Sequence, residues 1–197
     1  MVGSLDFGGM DVNRSGIWKL AWVGARVFLG VLFFSGGIGK LIPFPGLMGP
    51  VWLEDVLRPY DLGAYARFIA WAEALIGVLL FSRRFATIAA IMMVPLLVNI
   101  LAVVISMSWR GTPYVVAGFL TMNIYLLWYD RDRLLPLFAD GRGGPEFGGW
   151  LPDVPAVLGI LLCLAGPPLY AIAPLLGYGS IGLGLAALTA TPLFHQS

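Results

Sequence analysis

Two residues of opposite charge, Arg26 and Glu73, each lie inside an apolar stretch long enough to cross a bilayer. The first stretch begins near Ile17 and the second ends near Arg83, so helix geometry predicts that the two charges lie about 13 Å and 15 Å from the same membrane surface. Matching depths predict contact between the two side chains. The contact is either a structural ion pair or the polar floor of a pocket for a quinone headgroup, an anion or a proton.

Lys40 and Arg67 lie near the opposite ends of the same two stretches, beside an acidic segment that contains Glu54, Asp55 and Asp61. Long cationic side chains at helix ends often extend to the membrane interface and pair loosely with acidic residues there. If the two cations instead converge, they form a cationic mouth that could bind a small oxyanion or a headgroup. Both interpretations stay open at the level of sequence.

Asn99 and Asn123 are single polar residues in apolar stretches, a pattern typical of hydrogen bonds between membrane helices. Pro95 lies four residues before Asn99 and predicts a kink that frees the Ile91 carbonyl. That carbonyl could accept a hydrogen bond from a donor such as a quinol.

The chain has one cysteine, Cys163, and one histidine, His195. One cysteine excludes a disulfide within the chain, and one histidine excludes haem held by two histidines of the same chain. We therefore expect no metal site, and no cofactor that this chain attaches covalently or through a metal ion. A bound quinone or lipid remains compatible with the sequence.

The composition is that of an integral membrane protein. Of 197 residues, 59% are hydrophobic and 12% are charged, and the mean hydropathy is +0.86. The formal net charge of +1 provides no basic field for nucleic acid, so we expect the lipid bilayer and other membrane subunits as partners.

The elements that must position these residues are membrane helices. The apolar stretches predict an all-α antiparallel bundle of four spans, at 17–42, 62–82, 85–108 and 113–129. A C-terminal pair of shorter spans follows at 154–194 and turns near 177–179. The prolines at 167, 168 and 174 also allow a kinked or partly re-entrant segment. Residues 43–61 are too charged to cross and predict short interfacial helical turns.

Four segments follow from this pattern: an N-terminal cytoplasmic segment 1–16, a four-helix unit 17–133, a polar cytoplasmic connection 134–153 and a transmembrane hairpin 154–197. Seven arginines and lysines flank one side of the predicted spans and three flank the other. This imbalance predicts that both termini are cytoplasmic.

Several motifs resemble those of the DoxX/DoxD family of membrane proteins. They are the stretch from Arg26 to Phe33, the glycines and Lys40 at 36–40, the run that begins Glu73-Ala-Leu-Ile-Gly77, and Arg83-Arg84. The similarity covers the four-span unit, about residues 17–130, and the C-terminal hairpin is an addition to it. The resemblance implies a four-helix membrane bundle with links to thiosulfate:quinone oxidoreduction and thiol redox complexes.

We therefore expect a multi-pass subunit of a redox, electron-transfer complex in a bacterial or archaeal plasma (inner) membrane. The complex is quinone-linked in this hypothesis, and partners handle the sulfur or thiol substrates. The alternative is a non-catalytic accessory or structural subunit of a larger respiratory or photosynthetic complex. The sequence leaves open whether the chain is catalytic, and a solute carrier is a third hypothesis that lacks visible inverted repeats.

Overall fold

The computed structural model describes residues 8–42, 52–82, 85–131, 134 and 154–194, and within them all regular structure is helical. In chain order the α-helices are α1 (Gly8–Leu41), α2 (Leu53–Leu57), α3 (Gly63–Phe81), α4 (Ala86–Ser106), α5 (Thr112–Tyr129), α6 (Val154–Ile172) and α7 (Pro174–Phe194). A 3₁₀ turn, Arg58–Tyr60, follows α2.

The fold is that of an all-α polytopic membrane protein, as the sequence predicts. Four helices of the described chain are long and apolar enough to cross a membrane: α1 from Gly16, α3, α4 and α6. The last helix contributes a shorter apolar segment, Pro174–Thr189. The predicted connection 134–153 lies outside the described residues, apart from Leu134.

Helix bounds agree with the predicted spans to within two residues for α3, α4 and α5, but two boundaries differ. The first helix begins at Gly8, more than two turns before Ile17, so part of the predicted cytoplasmic segment is helical. The C-terminal turn lies at Ala173 rather than near 177–179. A proline disfavours helical backbone in the residue before it, which explains why α6 stops just before Pro174.

Glycines bring α1 and α3 into backbone contact, and these two helices share one of the largest interfaces in the fold. A Cβ atom at Gly37 would lie 2.6 Å from the Ala70 carbonyl oxygen, and one at Gly77 would lie 2.6 Å from Phe34 Cα. No side chain larger than hydrogen fits at either position without moving the helices apart. The glycines therefore fix the antiparallel register, with Phe34 level with Gly77.

This register leaves α1 short at one end of the bundle. In it Leu41, the last residue of α1, is level with Ala70, whereas α3 begins seven residues further along, at Gly63. The difference is about 10 Å of helix length. The α2 helix packs against α3 and buries Leu53 and Leu57. We call this the α2 end of the bundle.

The second half of the four-helix unit is built from α4 and α5, which pack against each other, while α4 also packs on α3. A buried cluster joins these helices to α1, with Leu29, Phe33, Ile76, Met93 and Leu97 among its members. This cluster gives the four-helix unit an apolar core.

The C-terminal hairpin of α6 and α7 closes the other face of α1 and α3. Its helices approach at Gly159 and Gly184, and Ser180, Gly184 and Leu188 of α7 are buried. A second apolar cluster joins the hairpin to Phe34, Ile38 and Val78 among other residues. The hairpin is thus packed on the bundle rather than separate from it.

We expect Gly77→Ala to destabilise the protein by about 1–3 kcal/mol, because the added methyl group meets the backbone of α1 at Phe34. Thermal unfolding in detergent measures the effect. The matched control is Gly118→Ala on α5, where a Cβ meets nothing within 4 Å. There the same change should leave stability unchanged or raise it slightly. Equal effects at the two positions would contradict the register.

Candidate functional site

The most buried ion pair in the described chain joins Lys40 to Glu73. Lys40 Nζ lies 2.5 Å from Glu73 Oε2, and the two side chains are 7% and 8% exposed. Glu73 is the eleventh of nineteen residues in α3, about 12–15 Å from either end of the helix. Lys40 lies in the last turn of α1, where the negative end of the helix dipole favours a cation.

The predicted pair of Arg26 with Glu73 is wrong, because the Glu73 carboxylate is bonded to Lys40. Glu73 lies four residues before Gly77 and is therefore level with Ile38, four residues after Phe34. Arg26 is twelve residues from that level, about 18 Å along the helix. The depth estimate failed because it assumed that Ile17 and Arg83 mark one level.

Arg26 lies near the opposite end of the bundle. Its guanidinium carbon is 4.9 Å from the centre of the Trp22 ring, and Trp22 stacks on Tyr129 of α5 with 5.2 Å between ring centres. A guanidinium over an aromatic face is a favourable cation–π contact. Arg26 therefore belongs to an aromatic cluster between α1 and α5, far from the carboxylate.

The predicted cationic mouth of Lys40 and Arg67 is also not formed, because each cation is bonded to its own glutamate. Arg67 forms a forked contact with Glu54 of α2, with distances of 2.8 Å from Nη2 to Oε1 and 3.1 Å from Nε to Oε2. Arg58 adds a third contact to Glu54, at 3.1 Å. These bonds tie α2 to α3, and both cations of the predicted mouth, Lys40 and Arg67, have a carboxylate partner.

The same contacts shift the titration of Glu54. The hydrogen bond from Arg67 is the main reason that its pKa lies below the ordinary value of 4.5. Partial desolvation opposes the shift, and Arg58 adds to it. Glu54 is therefore charged at neutral pH, when it holds α2 in place.

A cavity of about 250 Å³ lies at the α2 end, among α1, α3, α4 and α5. Lys40 and Glu73 are on its wall, Leu53 of α2 contributes to the lining, and Phe33 and Phe119 provide aromatic surface. Trp109 also lines it and contacts Trp52, with 5.1 Å between ring centres. An apolar cavity with one polar group is the usual form of a small-molecule site.

Asn99 and Asn123 both bond neighbouring helices. Asn123 is fully buried and its Nδ2 donates to the Ala90 carbonyl oxygen at 2.9 Å, which ties α5 to α4. The Tyr65 hydroxyl donates to Asn99 Oδ1, which ties α3 to α4, although Asn99 itself is exposed. Neither residue lines the cavity.

The cavity walls include residues that the sequence did not suggest as functional, such as Trp109, Phe119 and Leu53. Only their positions in the sequence could have indicated them. Trp109 lies just beyond one predicted span, Phe119 lies within another, and Leu53 repeats with Leu57 at helical spacing.

Within the described residues no group of three or more histidine, cysteine or acidic residues could hold a metal ion.

A double-mutant cycle distinguishes the observed pair from the predicted one. We expect Glu73→Gln alone to cost about 3–5 kcal/mol, because it leaves the Lys40 ammonium buried and unpaired. Lys40→Met combined with Glu73→Leu should recover most of that loss. Unfolding in detergent should show strong coupling between Lys40 and Glu73 and none between Arg26 and Glu73. Coupling to Arg26 would contradict the register.

The Glu54–Arg67 contact predicts a pH-dependent attachment of α2. Because the folded pKa of Glu54 is lowered, its stabilising contribution is complete above about pH 4.5 and is lost as the pH falls from there through the folded pKa. Tryptophan fluorescence should report the release, since Trp52 contacts Trp109. The Glu54→Gln variant should lack this step, and an identical step in both proteins would assign it to another group.

Comparison with known proteins adds no identification. No protein-family model, curated protein or solved structure matches the chain. The resemblance to the DoxX/DoxD family therefore stays a prediction, and the function has to be inferred from the cavity and its ion pair.

Proposed function

We propose that this chain binds a quinone in the cavity at the α2 end and serves as the membrane subunit of a quinone-linked redox complex. The observation that carries the proposal is a cavity between membrane helices whose apolar wall holds one buried ion pair, Lys40–Glu73. In this proposal the electron carriers and the sulfur or thiol substrates belong to partner subunits. The family resemblance is consistent with the same role.

The charge balance of the cavity favours a neutral ligand. The Lys40 ammonium and the Glu73 carboxylate cancel, and the rest of the lining is almost entirely apolar. A charged ligand would lack a counter-charge there and would have to lose its hydration, which is costly. This argues against the anion considered from the sequence and for a lipid-soluble molecule with an uncharged polar headgroup.

The hydrogen-bonding groups favour a headgroup that accepts hydrogen bonds. An ammonium group has three N–H donors, and within the described residues the Lys40 ammonium bonds to Glu73 Oε2 alone. The remaining donors could bond to a carbonyl oxygen of the headgroup. Phe33 and Phe119 could then pack against the ring. A quinone combines these properties with solubility in the bilayer.

Within this proposal each residue of the pair has a separate task. Glu73 fixes the position of the Lys40 ammonium group, which holds a proton at Nζ beside the headgroup oxygen. The apolar walls exclude water and strengthen that hydrogen bond. When bound, the quinone supplies the redox chemistry, and partner subunits supply or receive the electrons.

The location of the site relative to the membrane is also part of the proposal. The excess of arginine and lysine on the side of the bundle where Arg83 and Arg84 follow α3 favours a cytoplasmic position for that side of a bacterial or archaeal plasma membrane. Both termini would then be cytoplasmic. The α2 end and its cavity would lie toward the non-cytoplasmic side.

Binding of a short-chain quinone tests the proposal. Decylubiquinone should quench the fluorescence of the detergent-solubilised chain through Trp109, which lines the cavity. We expect the double variant Lys40→Met, Glu73→Leu to bind it at least tenfold more weakly, because the variant lacks the charged hydrogen-bond donor. The matched control is Arg26→Gln, which lies about 18 Å from the level of the pair and should bind normally.

Two further measurements define what contradicts the proposal. Equal binding by the double variant and the intact chain would place the quinone elsewhere, and no saturable binding would remove the ligand assignment. Purification in mild detergent followed by mass spectrometry tests the complex, with a redox enzyme expected among the partners. A chain that co-purifies with a respiratory or photosynthetic assembly but binds no quinone would support the accessory-subunit alternative instead.

A further inference from the structure

The cavity at the α2 end reaches the outside of the bundle beside α5. Of the described residues that line it, Val115 alone is exposed, with 54% of its surface accessible, whereas the others are buried or partly buried. Val115 lies in the first turn of α5. A residue that both lines a cavity and reaches the surface marks the place where the cavity opens.

The opening lies between α1 and α5. The rings of these helices meet at Phe119, whose centre lies 6.4 Å from that of Phe28 and 6.2 Å from that of Phe33. From this contact toward the α2 end, Gly36 of α1 and Val115 of α5 line the cavity, and Gly36 has no side chain to fill the gap. The other walls are closed, since α1 is in backbone contact with α3 and α5 packs on α4.

The outer surface next to this gap lies at the depth of lipid tails. Phe28 is 46% exposed and lies twelve residues from Gly16 and thirteen from Leu41, the two ends of the candidate span in α1. These separations are about 18 Å and 20 Å, so Phe28 lies near the middle of a hydrocarbon core that is about 30 Å thick. Val115 is one turn from Phe119 in the direction of the α2 end. The path from Val115 past Phe119 to Phe28 therefore follows apolar surface toward the bilayer centre.

The size of the cavity requires part of a long ligand to lie outside it. An apolar cavity of about 150 Å³ in a protein core binds one benzene ring. The present cavity of about 250 Å³ therefore holds one substituted ring. The remaining volume of roughly 100 Å³ is less than a second group of six carbons needs. A tail that anchors a quinone in the bilayer is larger than that and has to leave through the opening.

We infer that the ligand is a quinone with a long apolar tail, and that the tail passes Val115 and lies between α1 and α5 in the lipid while the headgroup is at Lys40 and Glu73. This inference rests on the proposed function and adds the class of quinone and its path. The gap allows the ligand to enter from the bilayer without crossing water, so its tail stays in an apolar environment throughout.

Two quinones that share a headgroup test the path of the tail. They are decylubiquinone and the same dimethoxymethylbenzoquinone headgroup without a tail. Val115→Phe narrows the opening and should weaken binding of decylubiquinone about tenfold, because its tail neither leaves nor fits inside. Binding of the headgroup alone should stay within about twofold. Tryptophan quenching measures both, and comparing each ligand with itself across variants cancels its partition into detergent.

The matched control for this variant is Val98→Phe on α4. Val98 is also an exposed valine, at 51%, but it does not line the cavity. The same change there should leave the binding of both ligands as it is in the unmodified chain. Thermal unfolding of each variant verifies that it is folded.

The other outcomes separate this inference from the proposed function. Equal weakening of both ligands by Val115→Phe would place the headgroup at this position and overturn the inference, and so would unchanged binding of both. If the unmodified chain binds the headgroup alone but not decylubiquinone, the site accepts no tail and only the inference fails. If it binds neither, the proposed function fails and the inference fails with it.

A spin label at position 115 tests whether the opening faces lipid. In the full-length chain in liposomes, with Cys163→Ala as background, Val115→Cys carries the label, and oxygen and a water-soluble nickel chelate compete to relax it. Oxygen concentrates in lipid, so we expect it to be the stronger relaxer, and decylubiquinone should reduce its access. The control Val98→Cys should not respond to the ligand. Stronger relaxation by nickel at position 115, or no response to decylubiquinone there, would overturn the inference.

Discussion

The buried contact between Lys40 and Glu73 is the interaction on which the site depends. An ammonium and a carboxylate in an apolar bundle must meet, since either one alone would stay buried and uncompensated. Their meeting requires α1 and α3 to keep one axial register, and Gly37 and Gly77 provide it by allowing backbone contact. The register of the two helices therefore determines both the burial of the pair and the position of the cavity that it lines.

Much of the fold could be predicted from the sequence, because length and hydropathy alone define membrane helices. The bounds of α3, α4 and α5 follow from apolar stretches ended by charged or aromatic residues. The start of α1 could not be found in this way, since a polar segment can continue a helix beyond the apolar part. The turn before Pro174 was misplaced because the glycines at 177 and 179 are stronger turn signals than one alanine, yet Gly177 packs against Tyr170 within the hairpin.

The candidate site was predicted in its residue types but not in its pairing. Glu73 and Lys40 were both singled out, and the choice of Arg26 as the partner rested on counting residues from presumed helix ends. Helix ends are the least certain part of such an estimate, and each residue of error moves a charge by about 1.5 Å. A match of Gly37 to the small residues Ala70 and Ala74 would have given the register without reference to the ends.

The shortness of α1 has a consequence for how this protein could diversify. Because α1 stops about two turns before the level at which α3 begins, α2 packs on the part of α3 that α1 does not reach, and its Leu53 lines the cavity. A change of side chain at Leu53 would therefore alter this wall of the cavity while the contact between α1 and α3 stays as it is. The wall at Leu53 and the register of the spans are encoded in different parts of the polypeptide.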